Sequence, residues 1–200
     1  MGGVLGRLAA AVCRRQKVKV IYTAHGFHFY KGAPWINWLL FYPVEWFLAH
    51  MTNIIVTINS EDYKRAKRLH LKAGGAVFQI HSVGVDKDRF APKRESSEVK
   101  RGELGVQKEA FHIVTAAELN DNKNQKVIIE AISRLARTDI YYSICGKGCT
   151  EEVLRKLIRE KGLEGRVRLW GFRTDMEEIL QTADCFAFPS YREGFGVAAV

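Results

Sequence analysis

The sequence predicts an α/β fold in which parallel sheets are flanked by helices. Short apolar runs of strand length alternate with segments of helical pattern along almost all of the 200 residues. Alternation of this kind is typical of βαβ units, whose strands pair in parallel. The composition is 47% hydrophobic and 26% charged, which supplies enough large apolar side chains for a packed core.

The first block of this pattern contains three strands. Their apolar runs lie at residues 18–23, 53–58 and 77–80. Helical patterns are predicted at residues 1–12, 35–50 and 61–71. Ser60 is expected to cap the last of these helices, because its hydroxyl can accept a hydrogen bond from an otherwise unpaired N–H group.

The second block contains four strands and follows a charged segment, residues 93–109, that is nearly free of large apolar side chains and rich in helix-forming residues. The predicted strands are residues 111–115, 140–145, 167–170 and 185–188. The predicted helices are residues 124–137, 151–161 and 175–182. Because the two blocks meet near residues 84–92, we expect two domains, residues 1–87 and 88–200.

The net charge and the cysteines restrict the class of protein. A charge of +9 favours anionic partners, namely nucleic acid, phosphorylated small molecules or an acidic membrane surface. The four cysteines form no Cys-x-x-Cys pair, which argues against a disulfide framework or zinc knuckle and favours a reducing compartment. No run reaches the roughly 18 apolar residues of a membrane span, so we expect a soluble or peripheral protein.

The candidate binding residues follow the predicted strands, because ligands of an open α/β sheet bind beyond the carboxyl ends of its strands. His25 follows the first strand and precedes Gly26, so it is interpreted as a polar contact or proton carrier that faces a cleft. A packed loop histidine is the alternative. The spacing of His25 and His28 also permits a zinc-binding pair.

Glycines and a lysine follow two strands of the second block. Gly146, Lys147 and Gly148 come directly after a strand, where glycines allow backbone N–H groups to face a phosphate. A tight turn explains the same glycines equally well. Lys123 stands at the head of a predicted helix, where its charge could neutralise a diphosphate leaving group. A solvated surface lysine is the alternative.

The strongest pattern follows the last predicted strand. That strand ends at Pro189, Glu193 follows, and Gly194 and Gly196 open a predicted helix. The positive end of a helix attracts an anion, and a carboxylate accepts hydrogen bonds from hydroxyl groups. A surface carboxylate in a glycine turn is the alternative.

Taken together, these segments resemble the retaining GT-B glycosyltransferases of family 4, especially the exopolysaccharide and capsule enzymes. The resemblance extends from Gly3 to Val200, and its motifs stand in the family's order and spacing. The segments that carry it are Tyr22–Gly32, His81–Asp86, Glu118–Asn124, Val167–Phe172, Ala183–Asp184 and Pro189–Gly196.

The resemblance implies a function and a division of labour. Residues 1–87 would belong to an acceptor-side Rossmann-like domain, and residues 88–200 to a donor-binding one. A sugar would pass from a UDP-sugar to a saccharide or polyprenyl-linked acceptor in surface polysaccharide biosynthesis, with retention, in the cytoplasm. The resemblance also implies that no metal or other cofactor is needed, because basic side chains replace the metal. It implies no protein nucleophile.

The resemblance also assigns roles to individual residues. Glu193 would be the first carboxylate of the family's Glu-x7-Glu motif, which holds the hydroxyls of the donor sugar. Lys123 matches the lysine that binds the diphosphate, and His25 matches a histidine of the acceptor domain that faces the cleft. The residues implied to present backbone N–H groups to the sugar and phosphate are Gly194, Phe195, Gly196 and Val197.

Three departures from the family pattern matter. Glu118 stands where the family usually has an arginine, so a phosphate contact is missing or is supplied by Arg173 or Lys147. The second glutamate of the motif would fall one position beyond Val200. The opening strands of the acceptor domain and their glycine-rich loop are absent. The resemblance thus implies a piece truncated at both ends, with both domains incomplete and no activity on its own.

Two other functions and one further surface remain open. A GT-B sugar-nucleotide epimerase would share the fold and the donor contacts, and a basic nucleic-acid-binding or regulatory Rossmann module would share the charge. The basic residues are spread over many elements and form no recognised nucleic-acid platform, which disfavours the second alternative. The aromatic segment Lys31–His50 either seats the protein on an anionic membrane or packs onto the sheet.

Overall fold

A computed structural model describes the chain at residues 2–13, 18–80, 84–86, 88–91 and 94–199. The start of the family-like segment His81–Asp86, residues 81–83, lies outside the described residues. Contacts divide the chain into two units. One comprises residues 1–84 with 193–197, and the other comprises residues 85–192 with 198–200. The assignment of acceptor and donor roles to the two predicted domains stays a prediction.

The first unit contains a three-stranded parallel sheet of order β1-β2-β3. Its strands are β1 (Ile21–Ala24), β2 (Ile54–Thr57) and β3 (Ala76–Gln79). Its helices are α1 (Gly2–Val12), α2 (Trp35–Ala49) and α3 (Ser60–Ala66). The predicted strands and helices are all present. The core of the unit consists of Ala24, Phe27, Phe29, Ala49, Ile55, Ala66 and Leu69.

The cap of α3 differs from the sequence prediction. The side chain of Asn59 accepts a hydrogen bond from the backbone N–H of Asp62 at 2.8 Å, so Asn59 caps the helix and Ser60 is its first residue. The predicted cap was wrong by one position, because asparagine and serine are equally good caps and the sequence does not decide between neighbours.

Helix α1 is anchored by a buried arginine. The guanidinium of Arg7 makes two hydrogen bonds to the Glu45 carboxylate of α2, at 2.7 and 2.9 Å, and lies 4.0 Å from the ring centroid of Tyr22 in β1. Arg7 is 2% exposed. This charge, which interrupts the apolar pattern of α1, is therefore paired inside the unit and not exposed.

The second unit contains a four-stranded parallel sheet of order β6-β5-β4-β7. Its strands are β4 (Phe111–Ala116), β5 (Ile140–Cys145), β6 (Val167–Gly171) and β7 (Cys185–Phe186). Its helices are α4 (Arg94–Glu103), α5 (Lys126–Arg134), α6 (Glu151–Glu160) and α7 (Met176–Gln181). Two 3-10 turns, Asp121–Lys123 and Val197–Ala199, complete the described elements.

Helix α4 is held by charges, not by an apolar stripe. The ammonium of Lys100 lies 2.7 Å from a carboxylate oxygen of Asp175 and 2.7 Å from one of Glu178, both at the start of α7. Arg173 forms two further hydrogen bonds to Asp175 and, with Lys100, holds the pKa of that carboxyl well below its usual range. Because α4 is attached by ion pairs, residues 93–109 need no periodic apolar residues, and hydrophobic periodicity therefore does not reveal the helix.

A buried histidine links three strands and a helix end of the second unit. Because the Thr182 carbonyl can only accept, Nδ1 of His112 donates to it at 3.2 Å, which leaves Nε2 to accept from the Ser143 hydroxyl at 2.8 Å. The indole N–H of Trp170 donates to that same Ser143 oxygen at 3.1 Å. Burial lowers the pKa of His112 from 6.5 to about 4, with the Arg101 charge acting in the same direction and Asp184 opposing it.

This histidine generates a prediction on stability and pH. Below pH 6.5 His112 becomes protonated in the unfolded chain, whereas in the folded chain it stays neutral down to about pH 4. The free energy of unfolding should therefore fall as the pH drops through this window, by up to about 3 kcal/mol. Urea unfolding between pH 7.5 and 4 measures it. The variant His112→Gln should lose part of this slope, and an unchanged slope would contradict the assignment.

Candidate functional site

The strand order of the second unit reverses once, between β4 and β7. The chain runs from β4 through β5 to β6 in one direction and then returns to add β7 on the other side of β4. The loops after β4 and β7 therefore leave the sheet side by side, at the point where the strand order reverses. Such a switch point is where open α/β sheets bind ligands.

The loop after β4 is held in one conformation by its own side chains. The Asn120 side chain accepts a hydrogen bond from the backbone N–H of Lys123 at 3.1 Å, which closes the 3-10 turn. Glu118, at the position of the family arginine, accepts from the Asn120 amide at 3.0 Å. Asn124 then adopts a left-handed conformation, with φ 50°, before α5 begins. The turn presents Lys123 at the switch point.

The loop after β7 lies against this turn. The ammonium of Lys123 is 5.6 Å from the ring centroid of Phe188. The backbone N–H of Tyr191 donates to the Asn122 carbonyl at 2.8 Å, and the Asn122 side-chain amide donates to the Arg192 carbonyl at 2.7 Å. The structure therefore joins Lys123 to the segment that directly precedes Glu193.

The glycine pair after β5 is required by packing against the loop after β4. Gly146 has φ 147°, and a Cβ atom there would lie 1.9 Å from the Ala117 carbonyl oxygen. A Cβ atom on Gly148 would lie 2.2 Å from the Leu119 carbonyl oxygen. The Gly146 N–H already donates to the Gly171 carbonyl at 2.7 Å. These contacts favour the tight-turn explanation, and the phosphate role of Gly146 stays a prediction.

Two basic side chains were expected to supply the missing phosphate contact. Arg173 follows β6, and its guanidinium is committed to two hydrogen bonds with Asp175, at 2.8 and 2.6 Å. Lys147 is exposed between the two glycines, and its carbonyl accepts from the Leu119 N–H at 3.0 Å. Lys147 is thus the better placed of the two to meet an anion.

His25 lies in the first unit, in the loop after β1. The loop is anchored where the backbone N–H of Phe27 donates to the buried carboxylate of Asp62 at 3.2 Å. The His25 side chain is exposed and not enclosed by the core. A Cβ atom on Gly194 would lie 2.3 Å from the His25 carbonyl oxygen, so glycine is needed where these two backbones meet.

The segment after Arg192 groups with the first unit by its contacts. Glu193, Gly194, Phe195 and Gly196 are half-buried, and Val197 is exposed. A 3-10 turn, Val197–Ala199, stands where the glycines predicted the opening of a helix. The functional roles of these residues stay predictions.

No cluster of three or more metal-ligating side chains occurs in the part of the chain that the structure describes. The His28 ring stacks on Phe41 with centroids 4.5 Å apart. The chain has one Asp-x-Asp spacing, Asp86 and Asp88, and there Asp86 accepts from the backbone N–H groups of Asp88 and Arg89. This carboxylate thus closes a turn.

Comparisons with known proteins identify a family and several relatives. The family model described as Glycosyl transferases group 1 matches residues 96–200. A relative from Bacillus subtilis, "Putative glycosyltransferase EpsD", is 44% identical over 98% of this chain and 52% of its own length. An Escherichia coli relative, "UDP-Gal:alpha-D-GlcNAc-diphosphoundecaprenol alpha-1,3-galactosyltransferase", is 27% identical over 98% of this chain and 51% of its own.

Solved structures share the fold. HepE of Anabaena in complex with UDP-glucose has a TM-score of 0.75 and 19% identity, over 94% of this chain and 50% of that one. The lipopolysaccharide glycosyltransferase WaaG has a TM-score of 0.69 and 16% identity, over 90% and 52%. The fold is that of GT-B glycosyltransferases. The chain spans about half the length of the curated relatives it matches.

The site geometry generates a prediction on Gly146. The variant Gly146→Ala forces the loop after β4 to move, because the new methyl group meets a backbone oxygen. Gly162→Ala is the matched control, since Gly162 also has a positive φ, 64°, but nothing lies within 4 Å of its Cβ position. We expect Gly146→Ala to cost about 1–3 kcal/mol more in urea unfolding than the control. Equal costs would contradict the close packing.

Proposed function

We propose that this chain, which belongs to the group 1 glycosyl transferases, binds a UDP-sugar beyond the carboxyl ends of β4 and β7 and passes the sugar to an acceptor of surface polysaccharide synthesis. The observation that carries the proposal is the placement of Lys123, which a capped turn presents at the switch point of the sheet. The family match over residues 96–200 covers this whole region.

The donor side of the proposal rests on charge. A leaving diphosphate develops negative charge, and a fixed ammonium stabilises such charge best in a site that needs no rearrangement. The turn closed by Asn120 fixes the backbone of Lys123, so its ammonium would have only a short rearrangement to make. The UDP and UDP-glucose complexes of HepE support UDP as the nucleotide. We assign the auxiliary phosphate contact to Lys147, since Arg173 is bound to Asp175.

The sugar side of the proposal rests on the segment after β7. Glu193 would accept hydrogen bonds from donor hydroxyls, and the backbone N–H groups of Gly194 to Val197 would meet the sugar and phosphate. Transfer would proceed with retention on a single face of the sugar. Lysine side chains would take the place of a metal, and His25 would contact the acceptor.

A test of this proposal replaces the two side chains separately in the full-length protein. Lys123→Ala should weaken UDP binding and slow turnover by a loss of about 2.7–4 kcal/mol in transition-state stabilisation. Glu193→Ala should abolish turnover with a smaller loss of UDP affinity. Calorimetric titration with UDP and turnover across a panel of UDP-sugars measure both.

The control for this test is Lys126→Ala, which removes an exposed lysine from the first turn of α5. It should bind UDP and turn over like the wild type. Wild-type behaviour of Lys123→Ala or Glu193→Ala would refute the assigned roles. An epimer formed from the donor without any acceptor would instead favour the epimerase alternative.

The acceptor is proposed to be a saccharide carried on a lipid. The E. coli relative is named for a diphosphoundecaprenol acceptor. Residues 1–84 contain 11 Lys and Arg against 3 Asp and Glu, so they carry +8 of the total charge of +9. The same unit exposes large apolar side chains along α2. They include Trp35, Leu39, Leu40, Trp46 and Phe47.

Basic charge and exposed aromatic side chains together suit the surface of an anionic bilayer. We therefore place the protein on the cytoplasmic face of the membrane as a peripheral enzyme. No described helix is long and apolar enough to cross a bilayer. Apart from Asn37 and Glu45, helix α2 consists of apolar and aromatic residues, and several of them lie on its exposed face.

A vesicle experiment tests this placement. The full-length protein should sediment with phosphatidylglycerol-containing vesicles at low salt, less with neutral vesicles, and less again as salt is added. The variant Leu39→Ser/Phe47→Ser should lose most of the binding. The control Leu135→Ser removes an equally exposed leucine from the second unit, 51% exposed, and should bind like the wild type. Equal sedimentation with both vesicle types would contradict the placement.

A further inference from the structure

The loop after β7 has little support from the sheet itself. Strand β7 pairs with β4 at only two positions, Ile113 with Cys185 and Val114 with Phe186. One residue further, the Thr115 hydroxyl still donates to the Ala187 carbonyl at 2.8 Å. Beyond that point the chain runs on to Arg192 without a ladder of strand hydrogen bonds. Its position is therefore set by side chains and turns.

Asn122 supplies two hydrogen bonds at the far end of this loop. Its backbone carbonyl accepts from the Tyr191 N–H at 2.8 Å, and its side-chain amide donates to the Arg192 carbonyl at 2.7 Å. The two hydrogen bonds thus hold the N–H group at the start and the carbonyl group at the end of the dipeptide Tyr191–Arg192. The side chain is exposed and contributes nothing to the apolar core.

We infer that Asn122 is a positioning residue that, through the Arg192 carbonyl, sets where Glu193 stands along the chain path. Glu193 is the next residue after Arg192. The inference rests on the proposed function, because it takes its meaning from the donor contact of Glu193. Asn122 itself touches no donor atom in this scheme and acts only through its neighbours.

The chemistry of the contact requires an amide. Asparagine places a donor against the Arg192 carbonyl oxygen, whereas an aspartate of the same shape places a charged acceptor there and repels it. Alanine removes the side-chain bond but leaves the backbone bond to Tyr191. Replacing Asn122 first by Ala and then by Asp therefore weakens the contact with Arg192 in two steps, without changing the volume of the core.

The test compares Asn122→Ala and Asn122→Asp in the full-length protein, with Asp121→Asn as the control in the same turn. We expect kcat to fall about 10- to 100-fold in Asn122→Asp and less in Asn122→Ala, since small displacements of a catalytic group have effects of this size. The affinity for UDP and the melting temperature should change little. Asp121, an exposed neighbour outside both hydrogen bonds, should be replaceable without loss.

A double variant separates positioning from a general structural effect. In the background Glu193→Gln, Asn122→Asp should add little further loss of kcat, because a residue that acts through Glu193 has nothing left to position. Independent, multiplying losses would overturn the inference, and so would wild-type kcat in Asn122→Asp. Both results leave the proposed function standing. A wild-type protein that neither binds UDP nor uses any UDP-sugar would overturn the two together.

Discussion

The pairing of β7 with β4 is the constraint on which the site depends. Because β5 and β6 lie on one side of β4 and β7 on the other, the strand order reverses between β4 and β7, and the loops after these two strands emerge side by side. The pairing is short, just two residue pairs, so the ladder alone does not fix the loops. Hydrogen bonds from Asn122 and Thr115 extend the contact beyond the sheet. Because β7 is short, the loop that follows it begins early, and hydrogen bonds from side chains hold that loop in place.

Backbone contacts pack the loop after β4 closely from the other side. The turn after β5 approaches it so closely that neither Gly146 nor Gly148 leaves space for a side chain. The loop after β4 is therefore packed against one neighbour through its backbone and hydrogen-bonded to the other through Asn122. Within it, Asn120 closes the turn at Lys123. A lysine has many rotamers, and anchoring its backbone restricts only where its ammonium starts from. That would be enough for the proposed role of Lys123, because a charge interaction tolerates small displacements better than a geometric contact does.

Periodicity predicted the seven strands and six of the helices, because apolar residues recur in each at strand or helix spacing, although the apolar residues of α1 are largely exposed and its buried side chain is Arg7. It missed α4, whose attachment through Lys100 to Asp175 and Glu178 leaves no apolar pattern to detect. It also could not show that Asn122 reaches Arg192, since 70 residues separate the partners. The resemblance to a family singled out Lys123 and Glu193 as candidate donor contacts. The contacts that hold Lys123 in place, and the packing that requires Gly146, emerge only from the fold.

The two units differ in a way that fits two different substrates. Residues 1–84 carry nearly all of the net charge and expose the aromatic and aliphatic side chains of α2. Residues 85–200 contain 20 basic and 19 acidic residues and are close to neutral. A soluble nucleotide sugar can be bound by a few well-positioned side chains and backbone groups, so its site needs no strong electrostatic field from the whole unit. An acceptor held in an anionic bilayer must first be found on a surface, and a field that extends over a whole unit increases the rate of that encounter. The proposed lipid-linked acceptor would account for the uneven charge, and the proposed UDP-sugar donor would account for the capped turn at Lys123.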